Sequence, residues 1–183
     1  TSATVNNDGA IGDTAGATGR GIQAMAAATI NNTLSTSTIT GGTHGVYLEA
    51  GGTINNYGTI SGGTASGNYG VYCRSHPSIV TPITNNMGAT IKGAYGVFLE
   101  SGEIMNRGTI TGSSGAGIVV EPQTFSSVPL KVSNIAPGRI TGTTNGITFR
   151  VSGTIENTGN ISGGQNGIRA AMVVAGTITI NNL

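Results

Sequence analysis

Cysteine and charged residues are scarce in this chain of 183 residues, and each scarcity excludes a class of protein. The single cysteine, Cys73, rules out an internal disulfide, and no Cys and His residues stand at metal-site spacing. Charged residues make up only 8% of the chain and the formal net charge is +1. No strong field would therefore draw the chain to nucleic acid or to an anionic bilayer.

Long apolar runs are also missing. The longest, AMAAATI at 24–30, is far shorter than the ~20 residues that a membrane-spanning helix needs. We therefore expect no nucleic-acid partner, no membrane insertion of this segment, no metal and no cofactor.

Glycine is abundant, with 32 residues. Such a content is typical of disorder or low complexity only where aliphatic residues are few. Here Ile, Val and Leu are spread evenly in short runs, which indicates an ordered chain. One domain over residues 1–183 is the expectation.

An internal repeat carries most of the structural information. The phrase Gly-Thr-Ile-x-Asn-x-Gly-Thr-Ile-Ser/Thr-Gly, followed by Gly-Val/Ile-x-apolar, recurs about every 24 residues. Clear copies begin at Gly52, Gly102 and Gly153. Each repeat holds three short runs in which β-branched and polar residues alternate, and that period of two predicts strands.

Three short strands per repeat, without a helix to connect them, predict an all-β fold. Its form is a right-handed parallel β-helix, a solenoid of about seven coils in which each strand pairs with its copy in the next coil. The inward columns are predicted to be Val5, Ile30, Ile54, Ile83, Ile104, Val132, Ile155 and Ile178; then Ile11, Ile39, Ile60, Ile91, Ile110, Ile140 and Ile161; then Ile22, Val46, Val71, Val97, Ile118, Ile147 and Ile168, with Leu48, Cys73, Leu99, Val120 and Phe149. Cys73 is thus predicted to be a buried hydrophobe and not a reactive thiol.

A polar column accompanies the aliphatic ones. Asparagine at a coil corner can bond the backbone of the bend and the identical amide one coil away. We predict such a structural ladder from Asn7, Asn32, Asn56, Asn86, Asn106, Asn134, Asn157 and Asn182.

The G-T-I-x-N-x-G-T-I-S-G units alternating with G-V-Y-L resemble the passenger domains of bacterial autotransporters, the type V secretion proteins. The resemblance covers 3–182 and implies a right-handed β-helix that is displayed on, or released from, the Gram-negative outer membrane. Many such passengers are adhesins or virulence factors. The resemblance thus implies an extracellular location, and we expect a fragment of a longer passenger.

Alternation places one row of side chains on the outside of the third strand: Gln23, Tyr47, Tyr72, Phe98, Val119, Thr148 and Arg169. Tyr47, Tyr72 and Phe98 are predicted to stack in consecutive coils, and Glu49, Arg74 and Glu100 to flank them two residues further on. Stacked rings beside charges suit recognition of a sugar or a protein. Cross-strand ring and charge pairs also stabilise neighbouring coils without any ligand, so both interpretations stay open.

Two insertions lengthen the link after the third strand, at 74–82 and at 121–130. Loops on a rigid scaffold often carry function. His76 and Phe125 are therefore added as candidate binding residues.

Two further functions are weighed. Glu100 and Glu121 occupy matching positions in adjacent coils, as the paired carboxylates of a polysaccharide-degrading enzyme would, but Arg74 and Arg150 bracket them in the manner of charge balancing. Outward Thr38/Thr40, Thr59/Ser61 and Thr109/Thr111 form an array of the ice- or mineral-binding kind, which Lys92 and Arg139 interrupt.

The sequence therefore predicts a secreted or surface-displayed passenger segment, not an enzyme, that binds a host or cell-surface protein or glycan. A structural stalk or self-assembling fibre subunit is the alternative, because unpaired strand edges invite end-to-end association.

Overall fold

The computed structural model describes residues 2–13, 18–74, 79–121, 130–171 and 177–183. Within these ranges the chain is all-β, and no helix is long and apolar enough to cross a membrane. Its strands form three parallel sheets that wind as a β-solenoid with three strands per coil, as predicted.

The first sheet contains β1 (Ala3–Asn7), β4 (Ala28–Asn32), β7 (Gly52–Asn56), β10 (Thr81–Asn85), β13 (Gly102–Asn106), β16 (Leu130–Asn134), β19 (Gly153–Asn157) and β22 (Ile178–Asn182). The second contains β2 (Ala10–Gly12), β5 (Thr38–Thr40), β8 (Thr59–Ser61), β11 (Thr90–Gly93), β14 (Thr109–Gly112), β17 (Arg139–Gly142) and β20 (Asn160–Gly163). The third contains β3 (Ile22–Ala24), β6 (Val46–Leu48), β9 (Tyr69–Cys73), β12 (Tyr95–Leu99), β15 (Ile118–Val120), β18 (Asn145–Phe149) and β21 (Asn166–Ala170).

The register places identical positions of the repeat directly over one another. In the second sheet, for example, Ile60 pairs with Ile91 and Ile91 with Ile110. All three isoleucines are fully buried. Each such side chain stabilises the fold by about 1.5–3 kcal/mol when it is buried away from water. The three aliphatic columns form one continuous core along the solenoid axis.

The predicted inward columns are confirmed, with one correction at the last coil. Ile178 packs against the core, but its partner in the register is Gly153; Ile180 is the residue that pairs with Ile155. Residues at i and i+2 of a strand share a face, so both isoleucines of Ile-Thr-Ile have the parity of the inward column. Counting the repeat assigned Ile178, the first of the two, to that column.

The asparagine ladder is present, also with one correction. Asn85, and not Asn86, occupies the fourth position: Asn56 Nδ2 donates to Asn85 Oδ1 at 2.9 Å, and Asn85 Nδ2 donates to Asn106 Oδ1 at 2.9 Å. Asn85 is fully buried. The repeat here reads Ile-Thr-Asn-Asn, and the inward parity of Ile83 selects the residue two positions later.

From Asn7 to Asn134, each ladder amide also bonds the backbone of its own bend and that of the neighbouring coil. Asn56 Nδ2, for example, donates to the carbonyls of Gly58 and Thr90, and Asn56 Oδ1 accepts from the N–H of Gly58. These bonds fix the corner between the first and second sheets, because they satisfy backbone groups that the bend would otherwise leave buried and unpaired.

Candidate binding face

The outer face of the third sheet carries the predicted row of rings. Tyr47 pairs with Tyr72, and Tyr72 with Phe98, in adjacent strands. Their rings lie parallel: Tyr47 and Tyr72 have centroids 5.2 Å apart, and Tyr72 and Phe98 4.6 Å. The prediction that these three side chains stack in consecutive coils is therefore confirmed.

A second column, which the sequence analysis did not identify, packs beside this row. Its members are the residues immediately before the glycine of each Gly-Val/Ile marker: Arg20, His44, Tyr69, Tyr95, Ala116, Asn145 and Asn166. In β9, β12, β18 and β21 this residue is the first of the strand, and the ring of Tyr69 meets that of Tyr72 on the outer face. A signal was present in the sequence, because two tyrosines and a histidine stand in this one position.

The two columns together make a ring cluster of His44, Tyr47, Tyr69, Tyr72, Tyr95 and Phe98. His44 lies parallel to Tyr47 and to Tyr72, at centroid distances of 5.6 and 5.3 Å. Tyr69 meets Tyr72 edge-on at 5.1 Å and stacks on Tyr95 at 5.1 Å. The Arg20 guanidinium covers Tyr47, with its carbon 3.9 Å from the ring centroid. Such contacts each add about 0.5–1.5 kcal/mol beyond burial.

Burial corrects the expectation that the whole row is exposed. Tyr47 is 8% exposed and Phe98 4%, while Tyr72 is half-buried. Phe98, Ala116 and Val119 form a small apolar cluster of their own, against which Tyr69, Tyr72 and Tyr95 pack. The prediction was wrong because alternation assigns a face to each side chain but says nothing of a neighbouring column that covers it.

The flanking charges form ion pairs across the coils. Arg74 Nη1 lies 3.0 Å from Glu49 Oε1, and Arg74 Nε lies 3.7 Å from Glu100 Oε1. Tyr47 also donates its hydroxyl proton to Glu49. Arg74 and Glu49 remain partly exposed, whereas Glu100 is buried. The accessible charges of the predicted site are therefore those of Arg74 and Glu49.

Burial changes the ionisation of the ring cluster. Desolvation, and then the nearby Arg20 charge, lowers the pKa of His44 to about 4. Its Nδ1 accepts the N–H of Tyr69 at 3.2 Å, so the neutral imidazole donates through Nε2. Burial, and then the neighbouring Tyr95, raises the pKa of Tyr69 to about 12. His44 and Tyr69 are consequently neutral at pH 7.

Cys73 is fully buried in the inward column between Leu48 and Leu99, as predicted. Burial raises the pKa of its thiol. Both observations make it a packing residue and not an accessible nucleophile.

Glu100 and Glu121 follow the register pair Leu99 and Val120, so they do lie in adjacent coils. Each faces a guanidinium: Arg74 for Glu100, and Arg150 at 3.0 Å for Glu121. Among the described residues, no group of three or more His, Cys, Asp or Glu side chains could hold a metal ion. The candidate residues His76 and Phe125 lie outside the described residues.

The outer residues of the second sheet pair in register. Thr38 pairs with Thr59, whereas Thr109 pairs with Arg139. Lys92 and Arg139 interrupt the array and are exposed, as the sequence predicted.

Comparison of this chain with protein-family models, with curated proteins and with solved structures finds no match.

Proposed function

We propose that this chain is a segment of a secreted, surface-displayed passenger protein that binds a host or cell-surface ligand. The contact surface is the third sheet where Arg74 and Glu49 border the ring cluster. Binding, and not catalysis, is the proposed activity.

One observation carries this proposal. The outer face of the third sheet holds five of the eight tyrosines and phenylalanines of the chain, Tyr47, Tyr69, Tyr72, Tyr95 and Phe98. Two of the four ion pairs found among the described residues lie just beyond the ends of the same strands, and a third follows β15 and β18 of the same sheet. Elsewhere the outer faces are mostly Thr, Ser and Asn. Rings and partly exposed charges on a rigid sheet are the features that dominate protein interfaces.

The ring cluster supports recognition indirectly. Because Tyr47 and Phe98 are buried, they serve as a fixed base, and Tyr72, Arg74 and Glu49 offer the accessible edge. A site whose side chains are already held in place loses little conformational entropy on binding.

A structural stalk is the second candidate, and the burial of the rings favours it. Cross-strand ring stacks and ion pairs stabilise a sheet without any ligand. The two functions differ in one measurable respect, since only the first requires saturable binding.

The experiment measures binding of the fluorescently labelled chain to cultured host cells. The double variant Glu49→Gln/Arg74→Gln removes both accessible charges and leaves the net charge unchanged. We expect saturable binding by the unaltered chain and at least fivefold weaker binding by this variant.

The matched control is Lys131→Gln/Glu156→Gln. This removes an ion pair of 2.9 Å and similar exposure from the outer face of the first sheet, and should leave binding unchanged. Absence of saturable binding by the unaltered chain would favour the stalk. Release of new reducing ends from polysaccharides would instead indicate an enzyme.

A further inference from the structure

An accessible ring, Tyr57, and exposed apolar side chains lie together at the corner between the first and second sheets. There the residue after each ladder asparagine forms a column: Asp8, Thr33, Tyr57, Asn86, Arg107, Ile135, Thr158 and Leu183. The backbone ties these positions together, since the N–H of Tyr57 donates to the carbonyl of Asn32 and the N–H of Arg107 to that of Asn85. Consecutive members of the column are thus about 4.8 Å apart.

The middle of this column borders an open depression of about 600 Å³. Four consecutive coils line it, with Tyr57, then Asn86 and Met87, then Arg107, then Ile135 to Pro137. Its volume falls in the range of small-ligand sites, roughly 300–1,000 Å³. Tyr57 is 50% exposed and Met87 71%, in contrast to the buried rings of the third sheet.

The charge around the depression has one sign. Arg107 is exposed and has no carboxylate within ion-pair distance among the described residues. The adjoining second sheet adds exposed Lys92 and Arg139, and its seven strands contain no Asp or Glu. The acid nearest to Arg107 along the chain, Glu103, stands four residues earlier on β13, about 13 Å away along an extended strand.

We propose that this corner depression binds a carboxylated sugar, such as a uronic-acid or sialic-acid residue of a glycan. The accessible face of Tyr57 and the Met87 side chain contact the apolar C–H face of the sugar ring. Arg107 pairs with the sugar carboxylate in the bidentate geometry that guanidinium groups adopt. Asn86 supplies an amide for the hydroxyls, although its Nδ2 also donates to the carbonyl of Asn56 at 3.1 Å.

The depression is a different surface from the third-sheet face. It lies at another corner of each coil and shares none of Tyr72, Arg74 and Glu49. The two proposals can therefore fail separately, because each has its own variants.

The test begins with an array of uronate- and sialate-containing oligosaccharides, their carboxyl methyl esters and acidic peptides. We expect the chain to retain carboxylated sugars and not the esters. The tightest of these is then titrated by calorimetry. Arg107→Gln should weaken binding at least tenfold, because a charge-assisted bond is lost. Tyr57→Leu should weaken it about threefold or more through loss of the ring face.

Arg169→Gln is the matched control, since it removes an exposed cation on β21 of the third sheet, away from the depression, and should change affinity less than twofold. The side chains of Tyr57, Arg107 and Arg169 are exposed, so the variants should fold, and far-UV circular dichroism verifies this. The proposal is overturned if no carboxylated sugar is retained or if the esters bind equally well. Equal affinity of Arg107→Gln, or preference for acidic peptides, would overturn it as well.

Discussion

At the scale of single residues, the buried amides of the asparagine ladder hold adjacent coils together through hydrogen bonds. Asn85 Nδ2 donates to Asn106 Oδ1, to the carbonyl of Thr109 and to that of Ala89, at 2.9, 3.1 and 3.4 Å. Loss of such a side chain leaves buried partners on both sides unsatisfied, which costs more than the net value of one hydrogen bond.

Asn85→Ala should therefore lower the free energy of unfolding by about 2–4 kcal/mol. Its neighbour Asn86 has one bond to the Asn56 carbonyl and lies partly exposed, so Asn86→Ala should cost about 0.5–1 kcal/mol. Urea unfolding of the two variants measures the difference. A larger loss in Asn86→Ala would show that the ladder runs through the other asparagine.

His44 makes stability depend on pH. Its pKa is about 4 in the folded chain and 6.5 for an unperturbed histidine, so the folded state binds fewer protons between these values. Protonation therefore favours unfolding, and the contribution of His44 to stability is lost as pH falls from about 6.5 towards 4. The facing groups are Arg20, Tyr47, Tyr69 and Tyr72.

His44→Asn retains an acceptor for the Tyr69 N–H but cannot be protonated. Between pH 7.5 and pH 5 its urea midpoint should fall less than that of the unaltered chain. Equal declines in the two proteins would exclude His44 as the titrating group, and the window stays above the range in which most carboxylates titrate.

At the scale of elements, the glycine of each Gly-Val/Ile marker, at or next to the start of the third strand, allows adjacent coils to approach closely. A Cβ on Gly96 would lie 2.4 Å from the Gly117 carbonyl oxygen and 2.6 Å from Ile110 Cγ2. A side chain at Gly96 is excluded by lack of space and not by backbone strain, since the φ angle of Gly96 is not positive. Both atoms belong to the next coil, Ile110 on β14 and Gly117 directly before β15, and they occupy the position that a side chain would need.

Gly96→Ala should destabilise the chain by about 1–3 kcal/mol, because backbone must move to admit the methyl group. Gly12→Ala is the control: nothing lies within 4 Å of a Cβ there, and its effect should stay within about 0.5 kcal/mol. Thermal unfolding of both variants gives the comparison, and equal midpoints would contradict the close approach at Gly96.

At the scale of the whole molecule, every strand bonds only its copies in adjacent coils. Stability in such a fold is approximately a sum over coils and the interfaces between them. In this chain β1 and β22 each have one neighbour in their sheet, whereas β8, β11 and β14 have two.

Hydrogen exchange should therefore be slowest in β8, β11 and β14 and fastest in β1 and β22, by at least tenfold. The central coils open only after their neighbours separate, while the outer strands fray locally. Mass spectrometry of deuterated peptides measures this gradient. Uniform protection along the chain would mean that all coils unfold together.

The repeat made the solenoid predictable from the sequence, and with it the three sheets, nearly every inward aliphatic and most of the asparagine ladder. Asn86 was misassigned, and Ile178, although it packs against the core, is not the register partner of Ile155. At both places two equivalent residues stand close together, and counting alone cannot choose between them. Of the candidate site, the stacking of Tyr47, Tyr72 and Phe98 and the pairing of Arg74 with its acids followed from alternation and register.

The sequence by itself thus determined which residues become neighbours. The constant period assigns each residue to a coil, and the alternation along each strand assigns its side chain to a face. Only the tertiary structure decided which outward side chains meet solvent. Burial of Tyr47, Phe98 and Glu100, and exposure of Tyr57 and Met87, depend on which side chains of neighbouring columns pack over each of them. No local pattern of alternating residues contains that arrangement.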